Sequence, residues 1–245
     1  MKKFLTIAGS DCCGGAGIQA DIRVAAQHGL FPMSVVTALT AQTRGGVRDV
    51  LLTPPAFVAA QLDAVFCDGA PDAIKIGMLG NKGIVEAVTQ KLIEHKAKNI
   101  VLDTVIMSSS GYELLDKEGV ASLKAKLLPL CYAVTPNIPE AETLADMKIN
   151  NKTDMEKCAK KLSSICPNNI IVTGGHLEGA CDDLLLADGR ITWFCGERIQ
   201  SDNTHGTGCF FSSCLACNLA LGHSMEEGVK NAKEYVAERI MGFVI

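Results

Sequence analysis

Short apolar runs alternate along the chain with longer stretches in which apolar residues recur every three or four positions, a pattern that predicts strands interleaved with helices. Phe4 to Ala8 predicts a strand running into Gly9, and Ile18 to His28 carries helical spacing. Met33 to Thr40 is apolar enough to predict a strand buried on both faces. Pro54-Pro55 after Thr53 predicts a helix start, with Phe57, Val58, Gln61, Leu62 and Val65 following at helical intervals. Ala73 to Ile76, Ile100 to Leu102, Tyr132 to Thr135 and Ile170 to Val172 predict further short strands, with helices between them. Thr153-Asp-Met-Glu156 has the spacing of a capping box, ahead of an apolar stripe of Met155, Cys158, Ala159, Leu162 and Cys166. Leu184 to Ala187 and Ile191 to Phe194, joined through Asp188-Gly189, predict a hairpin. In the last helix Val229, Ala232, Val236 and Ile240 would face inward, with Glu226 and Lys230 paired outside. No linker, low-complexity tract or repeat interrupts this order. The expectation is one α/β domain over residues 1–245, with a mostly parallel sheet.

Composition narrows the function. With 48% hydrophobic residues, 23 Gly and 8 Pro in 245 residues, a disordered, collagen-like or coiled-coil chain is excluded. A formal charge of −4 gives no overall basic footprint for nucleic acid or an anionic membrane, so a small-molecule ligand is expected. Eleven cysteines suggest a disulfide framework at first, but the count is odd and the apolar run after Met1-Lys2-Lys3 is too short for a signal core. Free thiols in a cytoplasmic protein are expected. Cys214-x-x-Cys217 reads as small-residue helix packing, and Cys12-Cys13 as a vicinal pair of free thiols in a glycine loop.

In open parallel sheets ligands bind beyond the carboxyl ends of the strands, and there the polar residues collect. After the first strand comes Gly9-Ser10-Asp11-Cys12-Cys13-Gly14-Gly15-Ala16-Gly17, which matches neither a Walker loop nor a dinucleotide fingerprint. After the second comes Thr40-Ala41-Gln42-Thr43, whose Gln42 amide presents a donor beside an acceptor, the chemistry that reads a nitrogen heterocycle. Asp103, then Asn137 and Glu140, supply oxygens suited to magnesium carried in by a nucleotide. Lys75, between Ile74 and Ile76, reads as an exposed edge residue and stays outside the expected site. Asn203-Thr204-His205-Gly206-Thr207-Gly208-Cys209 precedes an apolar helix, so its amides and the helix dipole would converge on an anion. The same field would stabilise a Cys209 thiolate, whereas His205 reads equally well as a loop or a substrate residue. Transfer of a charged group such as phosphoryl follows.

Five strings, Ala8 to Asp21, Thr37 to Gln42, Lys75 to Leu79, Thr135 to Ala141 and Thr204 to Cys209, resemble in order the hydroxymethylpyrimidine/phosphomethylpyrimidine kinases of the ribokinase-like superfamily. The resemblance runs from Phe4 to about residue 240. It implies a three-layer α/β/α fold and two ATP- and Mg2+-dependent steps in thiamine biosynthesis, phosphorylating hydroxymethylpyrimidine and then its monophosphate. It also implies a homodimer, with no nucleic acid or membrane partner. Carried over by motif, Asp21, Gln42 and Met78 would surround the pyrimidine, while Asp103 and Glu140 would lie near magnesium and triphosphate, supported by Asn137. Gly206, Thr207 and Gly208 would form an anion hole beside Cys209, which stands where most ribokinase-like kinases carry an aspartate base.

Three departures bear on this. Ser109 and Thr173 occupy places where lysines are frequent in the family, and the chain stops at Ile245 without a Gly-His-rich terminal segment. Some pyridoxal kinases resemble the chain but carry Met in place of Gln42 and a second cysteine in the loop around Ser108 to Ser110. A ligand-binding protein that kept the fold and lost turnover is the reading from another class; Asp103, Glu140 and Cys209 argue against it.

Overall fold

The computed structural model describes residues 1–43, 45–108, 110–166, 168–177, 181–201 and 206–242. Its strands are β1 (Lys3–Asp11), β2 (Phe31–Thr43), β3 (Gly46–Leu52), β4 (Ala73–Ile76), β5 (Ile100–Leu102), β6 (Ala133–Val134), β7 (Asn169–Val172), β8 (Asp183–Ala187) and β9 (Arg190–Phe194). They form one sheet in the order β3-β2-β1-β4-β5-β6-β7-β8-β9. Pairing is parallel from β2 through β7, and β3, β8 and β9 run antiparallel to their neighbours.

Because successive strand residues face opposite ways, the sheet sorts its apolar side chains into two cores. Leu5, Ile7, Ile74, Ile76, Leu102 and Ile170 pack toward one helical layer. It comprises α2 (Pro55–Cys67), α3 (Lys82–Glu94), α4 (Lys117–Ser122), α5 (Ile138–Ala145) and α6 (Lys152–Leu162). Phe4, Ala73, Val101 and Ile171 pack toward the other, made of α1 (Gly17–Gln27), α7 (Thr207–Leu221) and α8 (Met225–Ile240). The result is the expected three-layer α/β/α fold. Helix α7 is buried on nearly all sides, and its Cys214 and Cys217 are core residues, as their small apolar neighbours implied.

Several local expectations change. Strand β2 runs on to Thr43 and is half-exposed, because beyond Thr40 it has left β1 behind and pairs only with β3. Strand β3 was absent from the hydrophobic pattern: Arg48 and Asp49 break its alternation. Only Ala133 and Val134 of the expected Tyr132 to Thr135 strand are paired as strand. Helix α6 is capped by Asn151, whose side chain accepts from the Asp154 amide at 3.0 Å, so the Thr153 to Glu156 capping box does not form. Val229 and Ala232 are buried in α8 as expected, while Lys230 pairs with Glu234 instead of Glu226. The hairpin through Asp188-Gly189 forms with both turn residues at positive φ, 49° and 74°.

Candidate active site

At the end of β1 the chain turns through a loop organised by a carboxylate. Asp11, 2% exposed, accepts from the amides of Cys13 (2.8 Å), Gly15 (3.0 Å) and Ala16 (2.8 Å). Gln19 braces it, accepting from the Asp11 amide and donating to Ser10. This loop meets the start of α7 backbone to backbone: a Cβ at Gly206 would lie 2.1 Å from the Gly15 carbonyl oxygen, and Gly206 holds φ at +79°. The amides of the first turn of α7 therefore open beside the first glycine loop. Asn203, Thr204 and His205 lie outside the described residues.

Gly208 faces Asp103, with its ideal Cβ 3.8 Å from the carboxylate, so any side chain there would fill the space between them. Asp103, at the end of β5, accepts from Ser212 of α7 at 3.1 Å. Glu140 accepts from Thr104 (3.0 Å) and from the Asn137 amide (3.1 Å), while Asn137 caps α5 through the Glu140 amide (3.0 Å). The capping box thus points Glu140 at Thr104, next in sequence to Asp103. Burial pushes Asp103 above the usual carboxylate range against the pull of Lys75, and burial plus the Asp103 charge raise Glu140 to about 8.

Lys75 overturns its reading as an exposed edge residue. It is fully buried on the α1/α7 face of the sheet, with Nζ 2.9 Å from both Asp21 oxygens. Thr6 (2.5 Å) and Ser213 (2.7 Å) complete the shell around Asp21. Asp21 is therefore fully buried and closed in by protein partners. Cys209 also corrects its expectation: burial pushes the thiol to about 12, with Asp103 and Asp21 adding to the rise and only Lys75 and a backbone hydrogen bond opposing it. Desolvation disfavours the thiolate because that is the charged form.

Gln42 stands on the part of β2 that overhangs the sheet, half-exposed, its side-chain amide without a hydrogen-bond partner among the described residues. Met78 is buried beside Ala38 and Leu114; its carbonyl accepts from Thr37 at 2.6 Å. A Cβ on Gly9 would come 3.1 Å from the Met78 sulfur, which is why glycine begins the loop there. An open cleft of about 470 Å³ lies between Thr43, Gly45 to Arg48 and Ser110 to Tyr112.

This set of side chains can be compared with known proteins. A sequence model of the family described as phosphomethylpyrimidine kinase matches residues 11–243. The chain belongs to the phosphomethylpyrimidine kinase family. It is 42% identical over 245 residues to the hydroxymethylpyrimidine/phosphomethylpyrimidine kinase of Haemophilus influenzae, covering 98% of this chain and 91% of that one. It is 44% identical over 237 residues to the thiamine biosynthesis bifunctional protein ThiED of Geobacter sulfurreducens, spanning 96% of this chain but 48% of that longer protein. Among solved structures, the phosphomethylpyrimidine kinase of Clostridium difficile 630 superposes with a TM-score of 0.88 at 38% identity, covering 98% of this chain and all of that one. The pyridoxal kinase of Staphylococcus aureus in complex with pyridoxal gives a TM-score of 0.91 at 31% identity, covering 99% and 88%.

Three residues that hold this region together were missed in the sequence. Ser212 and Ser213, adjacent on α7, donate to Asp103 and Asp21 and so tie that helix to the end of β5 and to α1. Two hydroxyls inside an apolar run are the signal that was available. Arg198 donates to the carbonyls of Gly175 (3.2 Å) and Leu177 (2.5 Å), placing a cation at the loop after Thr173. Ser109 lies outside the described residues. Thr173 follows β7 directly, its amide donating to Pro136.

Proposed function

We propose that the protein transfers the terminal phosphoryl group of ATP to 4-amino-5-hydroxymethyl-2-methylpyrimidine and then to the resulting monophosphate, in thiamine biosynthesis. The observation that carries this reading is the pairing of an unengaged Gln42 amide and the Met78 floor with the carboxylates and glycine-flanked helix start at the neighbouring strand ends. Gln42 reads the aminopyrimidine edge, Met78 packs its ring, and the amides of Gly206, Thr207 and Gly208 hold the transferring phosphoryl. The chemistry is positioning and charge neutralisation, as loose phosphoryl-transfer transition states require. Cys209 takes the proton of the alcohol in the first step, a role that needs the thiol to ionise once substrates fill the site. The monophosphate of the second step already carries an anionic oxygen.

Asp103 and Glu140 are buried carboxyl groups with raised pKa, which a divalent cation would lower again, and their hard oxygen donors fit a magnesium ion. Bound there with ATP, it would neutralise charge on the phosphates. Asn137 holds Glu140 in place, and Asp21 acts from the core, bound to Lys75, instead of touching the ring. The whole chain, 1–245, works as one kinase domain in the cytoplasm, and no helix among the described residues is long and apolar enough to cross a membrane. The cross-strand pair Leu39 and Leu51, 52% and 68% exposed on the overhanging β2/β3 hairpin, supports a homodimer joined along this face.

The test is a coupled ATP assay across hydroxymethylpyrimidine, its monophosphate and pyridoxal. Turnover of both pyrimidines well above pyridoxal is expected; preference for pyridoxal would refute the assignment. Gln42→Met leaves the ring's polar edge unpaired, a loss of roughly 1–3 kcal/mol, so pyrimidine affinity by calorimetry should fall about tenfold or more while ATP binding holds.

A further inference from the structure

Cys12 and Cys13 are both exposed, and both point at one atom of the proposed substrate site. The Cys12 thiol donates to the Gln42 carbonyl at 3.2 Å and the Cys13 thiol donates to the same oxygen at 2.8 Å. The backbone N–H of Gln42 in turn donates to the Cys12 sulfur at 3.4 Å, so the peptide of Gln42 is bracketed by this vicinal pair. The two sulfurs and a carboxylate oxygen of Asp11 lie within 4.8 Å of one another. The Asp11 carboxylate is committed to the amides of Cys13, Gly15 and Ala16, so it holds the loop in shape and leaves ligation to the sulfurs.

We infer that Cys12 and Cys13 form a dithiol site for a thiophilic centre that takes two sulfur ligands, and that filling it disturbs the pyrimidine site through Gln42. Bonds from such a centre to sulfur are roughly 2.3 Å, as in zinc thiolates, so it spans a sulfur pair at this separation with side-chain rotation alone. Capture of a trivalent arsenical is a balanced substitution: both S–H bonds break, two As–S bonds form, and the arsenical oxygen leaves with the two protons as water. Arsenic stays trivalent, and no oxidant or reductant takes part. Once both sulfurs are bound to arsenic, the Gln42 carbonyl loses two donors and the strand that carries the ring-reading amide loses its bracket. This second half rests on the proposed role of Gln42.

The probe is phenylarsine oxide, with binding counted by mass spectrometry of the intact protein under native conditions. One equivalent per chain is expected in the wild type and in Cys67→Ser/Cys195→Ser, which removes the other exposed thiols. None is expected in Cys12→Ser or Cys13→Ser, whose hydroxyls can still donate to Gln42 and keep the loop folded. The loaded wild type should show a pyrimidine KM raised about tenfold, as expected for two lost hydrogen bonds, an unchanged ATP KM, and recovery with 2,3-dimercaptopropanol. Retention of one equivalent in both serine variants would overturn the site. Loss of binding in those variants with no change in pyrimidine KM for the loaded wild type would overturn the coupling, and calorimetry on Gln42→Met then shows whether the Gln42 assignment falls with it.

Discussion

Replacing Lys75 with Met tests the buried ion pair on which the start of α7 depends. Methionine matches the volume of the lysine stem, so the change removes a charge without opening a large cavity. Asp21 would then keep only the hydroxyls of Thr6 and Ser213, where it now has in addition an ammonium 2.9 Å from both oxygens. Breaking one side of a buried pair costs about 3–5 kcal/mol, since the remaining charge has neither water nor partner. Against a total of about 5–15 kcal/mol, that is a large share of the stability. At roughly 2–4 °C per kcal/mol for a chain of this size, the melting temperature should fall by roughly 6–20 °C.

The companion variant, Lys75→Met with Asp21→Leu, removes both charges. Paired apolar replacements of buried ions are often neutral, but here Thr6 and Ser213 lose their acceptor at a cost of about 1 kcal/mol each. The double variant should therefore lie between the single variant and the wild type. Urea denaturation followed by far-ultraviolet circular dichroism measures all three. A single variant within about 1 kcal/mol of wild type, or a double variant less stable than the single, would refute the reasoning.

Further expectations concern the site itself. In metal-free protein, Glu140 has a folded pKa of about 8 against 4.5 for its ordinary value, so between these the native state holds a proton that the unfolded chain has lost. Stability should therefore fall as pH rises through this window, and Glu140→Gln should flatten the slope of the denaturation midpoint with pH; an unchanged slope would place the titration elsewhere. Cys209→Ala should slow the first phosphorylation by about 10²–10⁴-fold and the second much less, whereas equal losses in separately measured rates would leave Cys209 as a packing residue of the anion site. Thr173→Lys, at the end of β7, should lower the ATP KM by about tenfold if the new ammonium reaches phosphate; no change in initial-rate kinetics would mean that Arg198 or another cation already fills that role.

The sequence disclosed most of the architecture because the central strands are buried on both faces and short. Ile74, Ile100 and Ile170 sit in apolar runs that no surface element would carry. What escaped it depended on contacts distant in the chain. Strand β3 is amphipathic only in relation to β2, and its pairing of Leu39 with Leu51 cannot be seen in either segment alone. Lys75 was misread because the surrounding Ile74 and Ile76 were taken to define the strand and the lysine to escape it. The alternation rule already required otherwise: a residue between two that face one helical layer must face the other, and in a sheet covered on both sides that position is interior. Asp21, 54 residues away and on a helix, is what makes a lysine tolerable there. Cys209 was misread for a related reason. The helix start is visible from the motif, whereas the burial that raises the thiol is set by the elements packed around it.

The buried charges divide in a way that explains why one lysine suffices beneath the site. Lys75 is paired with Asp21, and its charge also pulls on Asp103 and Cys209. Neither Asp103 nor Glu140 has a cation in direct contact among the described residues, and the Asp103 charge adds to burial in raising Glu140. A second buried lysine would settle that repulsion permanently and stabilise the empty protein, but it would also occupy the place where a divalent ion and its nucleotide are proposed to bind. The helix start at Gly206 to Gly208 is similarly unspent: Gly208 leaves the space before Asp103 clear, and Ser212 holds the carboxylate without covering it. On the proposed reading, stability given up in the ligand-free state becomes affinity for a ligand that brings positive charge together with phosphate. On this argument, magnesium and ATP added together should raise the melting temperature by more than the sum of their separate effects, and Asp103→Asn should abolish the excess while leaving any effect of ATP alone.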